Sequence, residues 1–290
     1  MAGRGSTPGR ARVRVRLCGG VLAVGVLVSG CWGGGGEPSD GARPSASAGP
    51  SASAGPSKSA GPSKSAAPSG SAAPADRFLG FVPDPERRPT TRAEALKVAR
   101  AVIARPEDWG AGYEKDPDSR GTPQRSSELG EDCVWAQRRL PRSDFVSIGR
   151  RGELPARGDA GPLRVTAVVT VHRTARSARW EMARTLEEPL RCPDQRLNGQ
   201  ERVTGLRSGG DLDPDTSGDT DYLQETGRIH SELPGGPHPY VWDVFRMDTL
   251  TIAVAVKGSE GHTAAEVRAV GSKAVGHMGA RILLELGVRK

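Results

Sequence analysis

Alternating apolar residues predict the strongest strands of this chain. Leu163–His172 carries an apolar residue at every second position, which is the period of a strand with one buried face. Tyr240–Met247 and Thr249–Val256 repeat the pattern on either side of Asp248, and they predict a hairpin. The inward-facing residues are Val165, Ala167, Val169, Val171, Leu250, Ile252, Val254 and Val256. Weaker strand patterns cover 133–140, 144–150, 200–206 and 222–230.

Helical spacing with clear start signals predicts three helices. Arg92–Arg105 follows the capping-box pair Thr91 and Glu94 and stops at Pro106. Ala175–Leu190 follows Thr174, and we expect its apolar side to consist of Trp180, Ala183 and the apolar residues of 186–190. A third helix starts at the capping box of Thr263 and Glu266 and runs to Leu286. Its three glycines predict close approach to a sheet: Gly271, Gly276 and Gly279.

Helices interspersed with antiparallel strands define the α+β class, with an antiparallel β-sheet and helices packed against it. The folded part, residues 78–290, is long enough for one substantial domain and does not require two. We therefore expect a single extracytoplasmic α+β domain, for which the order of the strands between 193 and 240 is left open.

The amino terminus has the features of a lipoprotein signal peptide over residues 1–30. Several arginines precede an apolar core, Val21–Val28, which is too short to span a membrane. Val28-Ser29-Gly30-Cys31 resembles a bacterial lipobox, in which the cysteine is acylated and becomes the new amino terminus. The resemblance implies a protein held by lipid at Cys31 on the outer face of the cell membrane. The alternative is cleavage to a free secreted protein, with Cys31 incidental.

Residues 31–77 are dominated by glycine, serine, alanine and proline, with an imperfect six-residue repeat between Pro44 and Ala73. Such a segment has too few large apolar side chains to offset the entropy of ordering, so it predicts a disordered tether. As a flexible coil it would have a root-mean-square reach of about 35 to 40 Å. The tether therefore holds the domain away from the membrane.

Most of the net positive charge of the chain lies in its amino-terminal segments. The sequence contains 41 basic and 34 acidic residues, but the signal peptide and tether carry much of the basic excess. From Asp76 onward the balance is 33 basic to 32 acidic residues. A nucleic-acid-binding domain would need a net basic surface or a concentrated basic stripe, so we expect no nucleic-acid partner.

Once the signal peptide is removed and Cys31 is assigned to lipid, two cysteines remain, Cys133 and Cys192. An isolated pair in an exported chain predicts a disulfide. A loop of about 60 residues closed in this way stabilises a fold by about 4 kcal/mol on the chain-entropy estimate. Metal ligation is the weaker alternative, because neither cysteine has a CxxC or histidine partner nearby.

Two polar clusters offer candidate binding sites. Five aspartates fall in one loop, where oxygen ligands suit calcium, but Thr216 and Tyr222 stand where an EF-hand has glycine and glutamate. Five arginines could form an anion-binding strip, although strand alternation opposes a shared face. A solvated surface is the simpler interpretation of both clusters. Their members are Asp211, Asp213, Asp215, Asp219 and Asp221, and Arg138, Arg139, Arg142, Arg150 and Arg151.

Catalytic motifs are weak in this sequence. His172, His230, His238, His262 and His277 show no HExxH pattern, and the domain contains no GxSxG elbow. Trp109 and Tyr113 could form a recognition loop, but aromatic residues under loops more often serve as apolar plugs. We predict no catalytic residue, metal ligand or cofactor.

The order of elements resembles that of a known family. A helix precedes the strands at Cys133 and Val165, a helix carrying Trp180 leads to Cys192, and a hairpin and a carboxyl-terminal helix follow. Over Phe78–Leu286 this order is similar to the PknH-like extracellular sensor domains of actinobacterial lipoproteins and receptor kinases. The resemblance implies their fold and a ligand-binding cleft. The family prototype has two disulfides, whereas this chain offers one cysteine pair.

We therefore expect a membrane-anchored extracytoplasmic lipoprotein whose domain binds a small ligand, an envelope polymer or a partner protein. One alternative is a hydrolase of envelope material, which would show histidine, aspartate and serine converging in a deep cleft. Another is a protein-docking module, which would show an exposed apolar patch.

Overall fold

The computed structural model describes residues 80–116, 123–210 and 220–288. Cys31, the signal peptide and the tether lie outside the described residues, as do Asp211, Asp213, Asp215 and Asp219 of the acidic loop. No helix within the described ranges is both long and apolar enough to cross a membrane.

Eight strands form one antiparallel sheet in the order β1-β4-β5-β10-β9-β8-β7-β6, and β2 and β3 form a separate hairpin. The strands are β1 (Glu114–Lys115), β2 (Arg125–Leu129), β3 (Trp135–Arg139), β4 (Asp144–Leu154), β5 (Leu163–His172), β6 (Gln195–Arg196), β7 (Arg202–Gly209), β8 (Thr220–His230), β9 (His238–Met247) and β10 (Leu250–Lys257). The predicted α+β class, an antiparallel sheet with helices packed against it and one disulfide, is confirmed.

The helices are α1 (Arg92–Val102), α2 (Pro106–Trp109), α3 (Ala175–Arg191) and α4 (Ala264–Leu286). Both predicted capping boxes are present, at Thr91 and at Thr263. α1 ends three residues before the predicted Arg105, since Ile103 is already extended with ψ 138°. Proline disfavours a helical conformation in the residue before it, and Arg105 is accordingly extended while Pro106 begins α2.

The main core lies between the first face of the sheet and helices α1 and α4. Alternation places the inward residues of β5 and β10 on this face, where each is at most 1% exposed. α4 packs so closely on β9 that a Cβ at Gly271 would overlap the Asp243 Oδ2 atom. Close approach to the sheet therefore explains this glycine. Trp109 is buried in the same core with Tyr113 packed against it, as expected of an apolar plug.

The second face of the sheet is covered in part by α3. The predicted apolar side of this helix is wrong at two residues, because Trp180 is 61% exposed and Leu190 is 80% exposed. The buried stripe consists of Ala178, Met182, Thr185 and Pro189. Thr185 can lie on this stripe because its hydroxyl donates to the Glu181 carbonyl oxygen at 3.0 Å.

The described residues between 193 and 240 contain β6, β7, β8 and the start of β9. β6 pairs with β7, β7 with β8, and β8 with β9, each time in antiparallel register. The strand predicted at 200–206 corresponds to β7, which ends three residues later than predicted, at Gly209. The pairing of β7 with β8 shifts register between Thr204 and Arg207. Gly205 adopts φ +62° at this shift, a conformation that favours glycine.

Candidate functional site

A cavity of about 110 Å³ lies on the second face of the sheet, between α3 and the β2–β3 hairpin. We call it the second-face cavity. Its floor is formed by β4, β5, β9 and β10, one wall by polar residues of α3, and the other wall by the hairpin. The aromatic and charged side chains of its lining are Trp135, Trp242, Glu128, Glu181, Arg184 and Glu188.

The hairpin wall is fixed to the end of α3 by covalent and polar contacts. The structure contains the disulfide that the sequence predicts, Cys133–Cys192, with 5.6 Å between the Cα atoms. Arg191 Nη1 donates to the Gly130 carbonyl oxygen at 2.9 Å. Trp135 Nε1 donates to Gln195 Oε1 at 2.7 Å, which orients the indole ring. The two walls are therefore held at a fixed separation.

His172 lies at the end of β5 beside the cavity and is 3% exposed. Its Nδ1 atom is 2.8 Å from Asp144 Oδ1, and its Nε2 atom is 2.7 Å from Glu181 Oε2 and 3.1 Å from Thr251 Oγ1. Burial by itself lowers the pKa of His172, but hydrogen bonds and charges of Asp144 and Glu181 raise it to about 9. At neutral pH this side chain is an imidazolium between two carboxylates.

The His172 cluster resembles a hydrolytic triad in composition but differs from one in its chemistry. A general base needs a free nitrogen facing the nucleophile, whereas the Nε2 proton of His172 is directed to Glu181. Thr251 Oγ1, the nearest hydroxyl, donates to the same carboxylate at 2.8 Å. This arrangement supplies an ion-pair clamp between α3 and the sheet, and it does not activate Thr251.

Glu225 of β8 is the most deeply buried carboxyl on the second face, with 3% exposure. It lies opposite Trp242 of β9 and Ser208 of β7 in the strand register. Within the described part of the chain, Glu225 Oε1 and Ser208 Oγ are buried without a hydrogen-bond partner. Burial raises the pKa of Glu225 to about 8, and the charge of Glu188 adds to this effect.

Glu188 connects Glu225 to the cavity, because it lines the cavity and interacts electrostatically with Glu225. Burial raises the pKa of Glu188 to about 7, and the charges of Glu181 and Glu128 act in the same direction. Arg184 and Arg191 oppose the shift. The cavity therefore combines a carboxyl of raised pKa, Glu188, with two tryptophan side chains, and Glu225 lies beside its lining.

A second and more open cavity of about 310 Å³ lies at the β1 side of the same face. Its charged residues neutralise one another. Lys257 Nζ is 2.7 Å from Glu201 Oε2, and Arg164 Nε is 3.1 Å from Glu153 Oε2. The charges of Lys257 and Arg164 also help to lower the pKa of Glu201, against the effect of burial. The ion pairs leave this cavity with little unpaired charge for a ligand.

The arginines weighed as a candidate anion-binding strip do not form one, in agreement with the favoured interpretation as a solvated surface. Arg138 and Arg139 are exposed on β3 of the separate hairpin. Arg150 donates to the Ala104 carbonyl oxygen at 2.8 Å, whereas Arg151 lies 3.2 Å from Asp116. Consecutive strand residues point to opposite faces, so Arg150 and Arg151 cannot share one surface.

The acidic loop is described only at its end, where Asp221 in β8 forms an ion pair with Arg246 of β9. Among the residues of ranges 80–116, 123–210 and 220–288, histidine, cysteine and carboxylate side chains form no group of three that could hold a metal.

Sequence reasoning missed the carboxyls of the second-face cavity. Glu181 and Glu188 are seven residues apart on α3, which places them on one side of a helix. Glu225 occupies the side of β8 that also carries Leu223 and Ile229, both 1% exposed. An acidic residue at an inward strand position was the available signal.

Comparisons with known proteins give limited similarity. Protein-family models yield no match, and curated protein sequences yield none either. Among solved structures, the extracellular domain of PknH from Mycobacterium tuberculosis is similar, with a TM-score of 0.38 and 11% identity. The match covers 69% of this chain and 100% of that domain.

An uncharacterised protein of Mycobacterium smegmatis is also similar, with a TM-score of 0.28 and 12% identity over 58% of this chain and 90% of that one. Values this low transfer neither a fold nor a function to this chain.

Proposed function

We propose that this protein is a lipid-anchored extracytoplasmic binding protein whose domain takes a small ligand in the second-face cavity. One observation carries the proposal: a walled cavity whose lining combines two tryptophan side chains with a few buried polar groups, a composition typical of ligand sites. The fixed distance between α3 and the hairpin supports it further, since preformed walls reduce the entropy lost on binding.

The binding proposal is tested by filling the cavity. Ala253 lines its floor, so Ala253→Phe should place a ring in the space and abolish ligand retention. Ala280→Phe, at an exposed position of α4 on the other side of the sheet, is the matched control. Native mass spectrometry of full-length protein purified from its own envelope should show added mass on the wild type and on the control. Equal added mass on Ala253→Phe would contradict binding in this cavity.

The anchor is proposed from the lipobox pattern at Cys31 and has its own test. Cys31→Ser removes the thiol that would be acylated, so the protein should move from the membrane fraction to the medium. Cys18→Ser, within the same leader, should leave the membrane fraction unchanged. Immunoblots of fractionated cells measure both variants. Retention of Cys31→Ser in the membrane at the wild-type level would overturn the anchor.

A further inference from the structure

We propose that the second-face cavity takes a small organic cation carrying an ammonium group, with Glu188 in its lining and Glu225, next to the lining residue Trp242, as the carboxyls that attract it. The inference rests on the proposed binding function and names the chemical class of the ligand. It is carried by a buried unpartnered carboxyl oxygen, a facing carboxyl at the cavity wall, and the aromatic surfaces beside them.

The strongest single observation is the Glu225 side chain. It is 3% exposed, and its Oε1 atom has no hydrogen-bond partner among the described residues. Buried polar atoms are usually hydrogen-bonded, because an unpaired one is destabilising. Ser208 Oγ, opposite Glu225 in the strand register, is unpaired in the same part of the molecule. Glu225 lies outside the cavity lining but beside the lining residue Trp242, so its carboxyl acts on a cation in the cavity through its charge when it is ionised.

The charged groups around these carboxyls favour a cation. Glu188 and Arg184 reach the cavity from α3, and Glu128 reaches it from the hairpin. Arg191, also on α3, is directed to the Gly130 carbonyl oxygen, and Glu181 is engaged by His172. From β9, Tyr240 is buried and remains neutral, because burial raises its pKa. Apart from Glu181, two lining carboxyls, Glu128 and Glu188, thus accompany one lining arginine, with Glu225 beside them, and in their ionised forms these carboxyls favour a positive over a negative charge.

The aromatic walls select an organic cation. Trp242 and Trp135 line the cavity, and the face of an indole ring attracts an ammonium group electrostatically. The hydrogen bond from Trp135 Nε1 to Gln195 holds one of these rings in place. Tryptophan surfaces also suit the alkyl carbons next to the nitrogen. With about 110 Å³, the cavity holds an ammonium group and a short chain of carbons.

Binding is expected to release a proton. Burial raises the pKa of Glu225 to about 8 and that of Glu188 to about 7, so the pair holds at least one proton at pH 7. An ammonium ion favours the ionised form of both carboxyls. The cation therefore enters as R–NH₃⁺, one carboxyl O–H bond breaks, and the proton leaves to solvent. The measurable consequence is an affinity that increases with pH between 6 and 8.

The test uses full-length protein and three four-carbon probes that differ in charge: n-butylammonium, n-butanol and butyrate. Binding is followed through the indole N–H signals in NMR spectra, since both cavity tryptophans would sense a ligand. We expect n-butylammonium to shift these signals and to bind at least tenfold more tightly than n-butanol, with no shift from butyrate. Calorimetry in two buffers of different ionisation enthalpy should report a released proton.

Amide variants test whether Glu225 and Glu188 are responsible for the binding of n-butylammonium. Glu225→Gln and Glu188→Gln should each weaken n-butylammonium binding by tenfold or more and reduce the released proton. Glu225→Gln removes a buried titratable group at constant shape, so the variant is expected to fold. Glu187→Gln, at an exposed position of α3, is the matched control and should bind as the wild type does.

Equal binding of the three probes would overturn the inference, and so would Glu225→Gln binding n-butylammonium as the wild type does. Neither result contradicts binding in the cavity, because the Ala253→Phe experiment tests that separately. If n-butylammonium does not bind the wild type, the inference that the ligand is a cation is also overturned. A binding function would still be supported if native mass spectrometry shows added mass on the wild type and none on Ala253→Phe.

Discussion

At the scale of residues, Asp248 shows how one side chain fixes a turn and joins two parts of the domain. It follows β9 with φ 51°, a left-handed conformation that aspartate tolerates better than most residues. Its carboxylate is fully buried and receives two bonds of 2.8 Å from Arg88 Nε and Nη2. Bidentate pairs of this kind combine charge with defined geometry.

Asp248→Ala should lower the free energy of unfolding by about 2 to 4 kcal/mol, because both the charge-assisted bonds and the turn preference are lost. Urea denaturation measures the change. Asp248→Asn keeps the tolerance of positive φ and part of the hydrogen bonding, so it should cost less than the alanine variant. Equal stability of the wild type and Asp248→Ala would contradict this role.

The close packing of Gly271 in α4 against Asp243 in β9 leads to a second prediction about single residues. Asp243 is 0% exposed and accepts hydrogen bonds on Oδ1 from Tyr222 at 2.6 Å and from Gln224 at 2.8 Å. Burial nevertheless raises the pKa of Asp243 to about 6. A Cβ on Gly271 would collide with Oδ2 of this carboxyl, so Gly271→Ala should destabilise the protein despite the better helix propensity of alanine.

The expected loss for Gly271→Ala is about 1 to 3 kcal/mol from overpacking, measured by thermal and urea unfolding. Ala280→Gly, at an exposed site on the same helix, measures the effect of helix propensity alone and should lower the free energy of unfolding by about 1 kcal/mol. A stabilised Gly271→Ala variant would show that α4 can move away from β9 without cost.

At the scale of elements, the His172 clamp joins α3 to the ends of β4, β5 and β10. Its pKa of about 9 in the folded state lies above the ordinary value of 6.5. A raised histidine pKa contributes stability that is complete below about pH 6.5 and is lost as the pH rises toward 9. The size of this contribution is about 3 kcal/mol, as an order of magnitude.

His172→Asn should therefore unfold more easily than the wild type at pH 6, and the difference should shrink as the pH approaches 9. Comparing the two proteins isolates His172, since Glu188, Glu225 and Asp243 change charge in both. Urea unfolding at pH 6, 7.5 and 9 measures the difference. A difference that stays constant with pH would show that His172 is held in its neutral form.

The elements also show what sequence can predict. β5 and β10 were correctly placed because alternation is local and both strands put branched side chains on one buried face. The stripe of α3 was misplaced, since its buried side depends on how the helix lies across the sheet, and Thr185 takes a place that an apolar residue would normally fill. The cavity was missed for the same reason. Glu188, Glu225 and Trp135 are brought together by the β8–β9 register and the disulfide, and neither is encoded in a local pattern.

At the scale of the whole molecule, the Cys133–Cys192 disulfide links stability to the shape of the binding site. It spans 59 positions of sequence and joins the hairpin wall of the second-face cavity to the end of α3. Cross-linking of a loop this long removes about 4 kcal/mol of denatured-state entropy on the chain-entropy estimate. The Arg191 and Trp135 hydrogen bonds cross the same interface, so the disulfide and these polar contacts together hold the hairpin in position.

The double variant Cys133→Ala/Cys192→Ala should unfold at a clearly lower urea concentration than the wild type, with a loss of about 2 to 5 kcal/mol. Reduced wild-type protein is the matched control and should lose a similar amount. Because Arg191 and Trp135 still bind across the same interface, the hairpin should remain in place below the transition but exchange its amide protons faster. Hydrogen exchange confined to 125–139 would locate the effect at the cavity wall. Equal exchange in the oxidised and reduced proteins would show that the polar contacts alone hold the wall, and free thiols in the exported protein would overturn the predicted pairing.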